Sequence, residues 1–184
     1  MSRYDADTIA AIHEALDDEY KARATYAAVI ERFGAVRPFV NIVAAEDRHA
    51  RALERLLAKD GLPIPADRWT GRVTAPDSLQ QAYALGVRAE IDNRAMYDRL
   101  ERMTARPDVL RVFGNLRAAS QDNHLPAFQR HLDRASGATA PTAEGGRRNE
   151  AAMPPSLRPG GAGCGIGHGR HGGGHGCHRH GMGR

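Results

Sequence analysis

Apolar residues recur at alternating three- and four-residue spacing in four separate stretches of the chain, the period of an amphipathic helix. The first stretch predicts a helix over about 8–33, with a cap at Asp7 and a stop at Gly34. Its inward stripe is Ile9, Ile12, Leu16, Glu19, Arg23, Tyr26, Ile30 and Phe33. The second predicts a helix over about 38–59, with Pro38 at its first position and Gly61 closing it. Phe39, Ile42, Glu46, His49, Leu53 and Leu56 form its stripe. The third opens on the capping box Ser78-Leu-Gln-Gln81 and runs to about Met103, with Leu79, Ala82, Gly86, Glu90, Asn93, Tyr97 and Leu100 inward. The fourth runs from Pro107 to about Leu132, with Leu110, Phe113, Arg117, Gln121, His124 and Phe128 inward.

Short links join the first helix to the second and the third to the fourth, so each pair forms an antiparallel hairpin. The link over residues 60–77 is long and carries Pro63, Pro65, Pro76 and the only Trp, Trp69. At about 3.3 Å per extended residue it can travel the length of a helix, which allows a crossover bundle as well as a compact loop. The fold class is all-α, a four-helix bundle over residues 1–136 followed by a disordered tail over 137–184.

Every stripe is broken near its middle by a residue that does not belong in an apolar core. Glu19 and Arg23 interrupt the first, Glu46 and His49 the second, Glu90 the third, and Gln121 and His124 the fourth. An unpaired buried carboxylate costs several kcal/mol. Interruptions at one level in four helices therefore point to a shared polar layer. Glu46-Asp-Arg-His49 sets a carboxylate and an imidazole one turn apart on one face, where both reach a metal between helices. Measured from the loop at Arg106, Glu90 and His124 are level. Glu19 sits about 6 Å off the level of Glu46 and His49. Bland readings compete: a Glu19–Arg23 ion pair, a solvated Glu90 beside Asp92 and Arg94, a core His124 bonded to its neighbours, and Tyr20, Tyr26 and Tyr97 as plain packing.

Composition narrows the function classes. The chain has 184 residues with net charge +4, but residues 1–136 carry 20 basic and 20 acidic side chains. The whole excess lies in the tail, so the body lacks the basic face of a nucleic-acid-binding domain. No 18-residue apolar run exists to span a membrane, and the polar N-terminus does not read as a signal peptide. Two cysteines near the C-terminus make no disulfide framework, and a cytoplasmic location is expected.

The pattern Glu19 / Glu46-x-x-His49 / Glu90 / His124 resembles the ferritin-like diiron-carboxylate superfamily. Residues 17–26, 41–49 and 120–128 resemble in more detail the ferritin-like group called domain of unknown function 2202. The resemblance implies a bundle with a long middle crossover and a two-metal carboxylate site. Glu46 would bridge, His49 and His124 would be terminal ligands, and Glu19 and Glu90 would supply the remaining carboxylates. The fourth helix departs from the full pattern, since Gln121 stands where a second Glu-x-x-His would begin. Pro126 lacks an N–H one turn from the site, so a kink is expected there.

The tail ends in Cys164, His168, His171, His175, Cys177, His178 and His180 on a Gly-rich stretch. Such ligands suit zinc, nickel or copper, and their spacing matches no rigid zinc module. The expected function is a ferritin-like metal-binding protein that holds one or two iron ions in the bundle, with manganese or zinc as substitutes. If redox active, it would be an oxidoreductase that brings O2 or peroxide to iron, of ferroxidase or peroxidase type. The alternatives are a non-enzymatic metal-handling protein that uses the tail, and a metal-free interaction bundle. The pattern allows a homodimer.

Overall fold

A computed structural model describes residues 2–137, and the seven Cys and His positions of the tail lie outside them. Helix α1 (Ala6–Phe33) starts where the Asp5 side chain accepts from the Thr8 N–H at 2.8 Å. That is two residues before the expected cap, and Asp7 sits in the first turn, where its charge complements the helix dipole. Gly34 ends α1 at φ 83°, a left-handed conformation that an L side chain resists. Helix α2 (Phe39–Lys59) follows, with Pro38 just before it. Helix α3 (Leu79–Leu100) is capped by Ser78, whose Oγ accepts from the Gln81 N–H, and a 3-10 turn over Glu101–Met103 ends it.

The fourth predicted helix is three pieces: α4 (Pro107–Ala119), a π turn (Ser120–His124) and α5 (Leu125–Ala135). The Leu125 N–H reaches back five residues to the Ser120 carbonyl, the π spacing. Pro126 explains the irregularity, because its ring clashes with the carbonyl four residues back in a regular α-helix. A widened turn accommodates it without ending the helix.

The long link is a crossover. It leaves α2 at Asp60, which accepts from the Arg3 N–H near the start of α1. It then climbs α1: Trp69 Nε1 donates to Asp17 at 3.0 Å, Arg23 donates to Asp67 at 2.9 Å, and Arg32 donates to the Ala75 carbonyl at 3.2 Å. Helices α2 and α3 therefore run parallel, as two antiparallel hairpins joined by a crossover require.

Two apolar clusters fill the bundle, one on each side of the polar layer. Ile12, Leu16, Leu53, Tyr97, Leu100 and Phe113 anchor the first, and Tyr26, Phe39, Ile42, Tyr83 and Phe128 the second. The second depends on Gly86: a Cβ there would stand 2.6 Å from the Phe128 ring. Only hydrogen at that position lets α3 and α5 approach this closely. No helix among the described residues is long and apolar enough to cross a membrane.

Candidate metal centre

Five side chains from four elements meet between the two apolar clusters. Glu19 comes from α1, Glu46 and His49 from α2, Glu90 from α3 and His124 from the π turn. The three carboxylates are 2–4% exposed, so the solvated reading of Glu90 does not hold. His49 Nδ1 lies 2.9 Å from Oε2 of Glu46 and 3.3 Å from Oε2 of Glu19. His124 Nδ1 lies 3.2 Å from Oε1 of Glu46 and 3.7 Å from Oε1 of Glu90. The imidazoles stack with centroids 5.5 Å apart and planes 20° apart. Two triads result, Glu19–Glu46–His49 and Glu46–Glu90–His124, each with one oxygen or nitrogen per residue within 4.8 Å of the others. Glu46 belongs to both, and its two oxygens face different imidazoles. The offset expected of Glu19 does not keep it from His49.

Arg23 is not the partner of Glu19. Its guanidinium leaves the layer and pairs with Asp47 at 2.8 Å and Asp67 at 2.9 Å. The imidazoles, not Arg23, face the carboxylates of the layer. Burial pushes both imidazoles down, but the carboxylates bonded to them win: Glu19 and Glu46 hold His49 up at about 9, and Glu46 and Glu90 hold His124 up at about 10. Burial, with the Glu46 charge beside it, raises the Glu19 carboxyl to about 8. Burial also opposes the Glu46 charge, but bonds from His124 and His49 outweigh it and keep Glu46 ionised.

A second ring of side chains orients the first. Tyr97 donates to Oε1 of Glu19 at 2.8 Å, and Tyr26 donates to Oε1 of Glu90 at 3.0 Å. Both tyrosines are core residues by packing, at 0% and 1% exposure, and both carry this added bond. Each hydroxyl is held protonated by its burial and by the carboxylate beside it. The signal was present in the sequence as Glu-x6-Tyr, once on α1 and once on α3.

Gln121 does not join the cluster. Its Nε2 donates to the Glu90 backbone carbonyl at 3.2 Å, and its side chain lines a separate hollow with Arg94 and Arg117. The buried face of α4, through Val109, Phe113 and Leu116, leads to Ser120 rather than to position 121, and the π turn then brings His124 onto the same face. Ser120 Oγ donates to Oε2 of Glu90 and is 3% exposed. The spacing Val109, Phe113, Leu116, Ser120 marks this serine, one residue ahead of the expected stripe through Leu110, Phe113, Arg117 and Gln121.

A cavity of about 500 Å³ opens onto both triads. Helices α1 and α3 and the crossover residues Val73 and Thr74 wall it. Lys21, Leu85, Arg88 and Asp92, all exposed, line its outer part.

The bundle is similar in fold to solved structures. A hypothetical protein, MJ0754, from Methanococcus jannaschii DSM 2661 matches with TM-score 0.66 and 22% identity, over 74% of this chain and 85% of that one. The Mycobacterium tuberculosis bacterioferritin BfrA matches with TM-score 0.61 and 16% identity, over 74% of this chain and 90% of that one. The architecture is thus a ferritin-like four-helix bundle. No curated protein matches the sequence. Residues 6–143 match the family described as an uncharacterized protein domain, DUF2202, and the chain belongs to that family.

Proposed function

We propose that the polar layer is a metal centre and that the chain binds one or two iron-type divalent ions there. The observation that carries this reading is the Glu46 carboxylate, which turns one oxygen to each imidazole. A carboxylate so placed can join two ions. The donor set fits such ions: hard carboxylate oxygens with borderline imidazole nitrogens suit iron, manganese or zinc. Tyr26 and Tyr97 fix the outer carboxylates as hydrogen-bonded partners fix ligands in metalloproteins. The likeness in fold to a protein named bacterioferritin fits iron.

Bound iron would supply one-electron chemistry toward O2 or peroxide, and the chain would then act as a ferroxidase or small peroxidase. The chain's own part is to hold the carboxylates between two apolar clusters, leave the cavity as the way in, and give up imidazole protons on loading. The test is anaerobic loading of the full chain with iron(II), followed by desalting and metal analysis against the Glu46→Ala, His49→Ala variant. The proposal expects the parent to retain one or two irons more than the variant and to melt at a higher temperature when loaded. Equal iron in both proteins, and a melting temperature indifferent to chelator, would favour a metal-free polar network.

A further inference from the structure

The fourth helix leaves a gap in the ligand layer, and the gap opens on a cavity. Where a bundle of this kind can draw a fourth carboxylate from its last helix, the inward position is Ser120, a neutral hydroxyl that donates to Glu90. Two divalent ions would outweigh the three carboxylates of the triads, Glu19, Glu46 and Glu90, by one positive charge, with Asp18, the other acid on the inner wall, turned to the Asn93 amide. That charge, buried, calls for an anion. The cavity, about 500 Å³, is roomy enough for an organic molecule and not merely for a diatomic gas or a water.

We propose that this cavity binds a small organic carboxylate, whose carboxylate group seats beside Ser120 between the two triads. The inference rests on the metal reading given above. Three further features fit such an occupant. The lining is chiefly apolar on the flanks, with Leu116 on α4, Leu85 on α3 and Val73 on the crossover. Lys21 sets a cation at the outer part, where Arg88 is already paired with Asp92 at 3.0 Å, and an anion entering there meets the Lys21 ammonium. Asn93 donates through Nδ2 to Asp18 at 2.9 Å, while its buried Oδ1 on the same wall lacks a partner. A hydroxyl or N–H on the bound molecule would satisfy that acceptor.

The test uses the full chain loaded with manganese(II), which favours oxygen-rich ligand sets over a Cys- and His-bearing tail. The free-manganese electron paramagnetic resonance signal reports loading. The probe is 4-fluorobenzoate, with neutral 4-fluorobenzamide as the shape control, and the 19F linewidth reports proximity to the ion. The expected result is saturable broadening of the benzoate signal, with an apparent affinity at least tenfold above that of the amide. Two variants should abolish it: Ser120→Glu, which fills the gap with a protein carboxylate, and Leu85→Trp, which obstructs the cavity from an exposed position and leaves manganese uptake intact. Manganese uptake with no preference for the benzoate overturns this proposal and spares the metal reading. Broadening that survives in both loaded variants also overturns it, because the probe then binds elsewhere. Failure of manganese, iron and zinc alike to bind the bundle overturns both.

Discussion

The Tyr97 hydroxyl of α3 donates to Glu19 of α1 at 2.8 Å, and the same relation runs the other way from Tyr26 of α1 to Glu90 of α3. Each helix thus supplies one carboxylate to the layer and, two turns on, one phenol to the carboxylate of its neighbour. Two antiparallel helices related in this way hold both carboxylates at one height. Both bonds are buried, so each side chain's orientation depends on the other.

Removing one phenol should therefore weaken the centre without unfolding the bundle. Tyr97→Phe and Tyr26→Phe are each expected to lower metal affinity by about ten- to a hundredfold, the usual effect of losing a group that orients a ligand. Competition against a chelator of known affinity measures this. Unchanged affinity in both variants would show that the phenols serve packing only.

The contact between Gly86 and Phe128 makes a second prediction. Gly86→Ala places a methyl group 2.6 Å from the ring, so it should destabilise the fold by about 1–3 kcal/mol. Gly114→Ala, in α4 with nothing within 4 Å of the new Cβ, should instead stabilise by up to about 1 kcal/mol through helix propensity. Urea unfolding of the metal-free proteins measures both. A Gly86→Ala variant as stable as the parent would show that the two helices are free to part.

Acid should loosen the crossover through Asp67. Burial pushes its carboxyl up, but bonds from the Thr70 hydroxyl, the Trp69 and Thr70 N–H groups and Arg23 outweigh burial and hold it at about 2. The folded value lies below the unfolded value of about 3.9, so the stabilisation is present above that pH and is lost as pH falls toward 2. Asp67→Asn should be less stable than the parent at pH 6, and the difference should shrink between about pH 4 and pH 2. A constant difference across that range would remove Asp67 from the acid response.

Much of this architecture is legible in residue spacing, and the exceptions have physical causes. Helical period and stop signals locate α1, α2 and α3 to within a few residues, because Gly34 and Ser78 act through local geometry. The length of the 60–77 link allows a crossover, but only its contacts with Asp17, Arg23 and Arg32 establish one. Glu46 and His49 share a face by helical geometry alone. Gln121 is displaced by one position for a different reason: the buried face of α4 runs through Val109, Phe113 and Leu116 rather than Leu110 and Arg117, which leads at regular period to Ser120, and Arg117 pairs with Asp98 and Glu101 outside the core. The π turn that follows keeps His124 and Phe128 on that same face. Arg23 is misread because its partners Asp47 and Asp67 lie on α2 and the crossover, 24 and 44 residues away. The paired tyrosines pass as packing because apolar burial and a hydroxyl bond leave the same mark on a helical stripe.

If Glu46 joins two ions, as proposed, its loss costs both. The measurement is the iron count of the anaerobically loaded full chain as Glu46→Gln and as His124→Ala, each against the parent. Glu46→Gln should lose all iron held by the bundle, whereas His124→Ala should lose only the part held with Glu90. As much iron in Glu46→Gln as in the parent would refute a shared carboxylate.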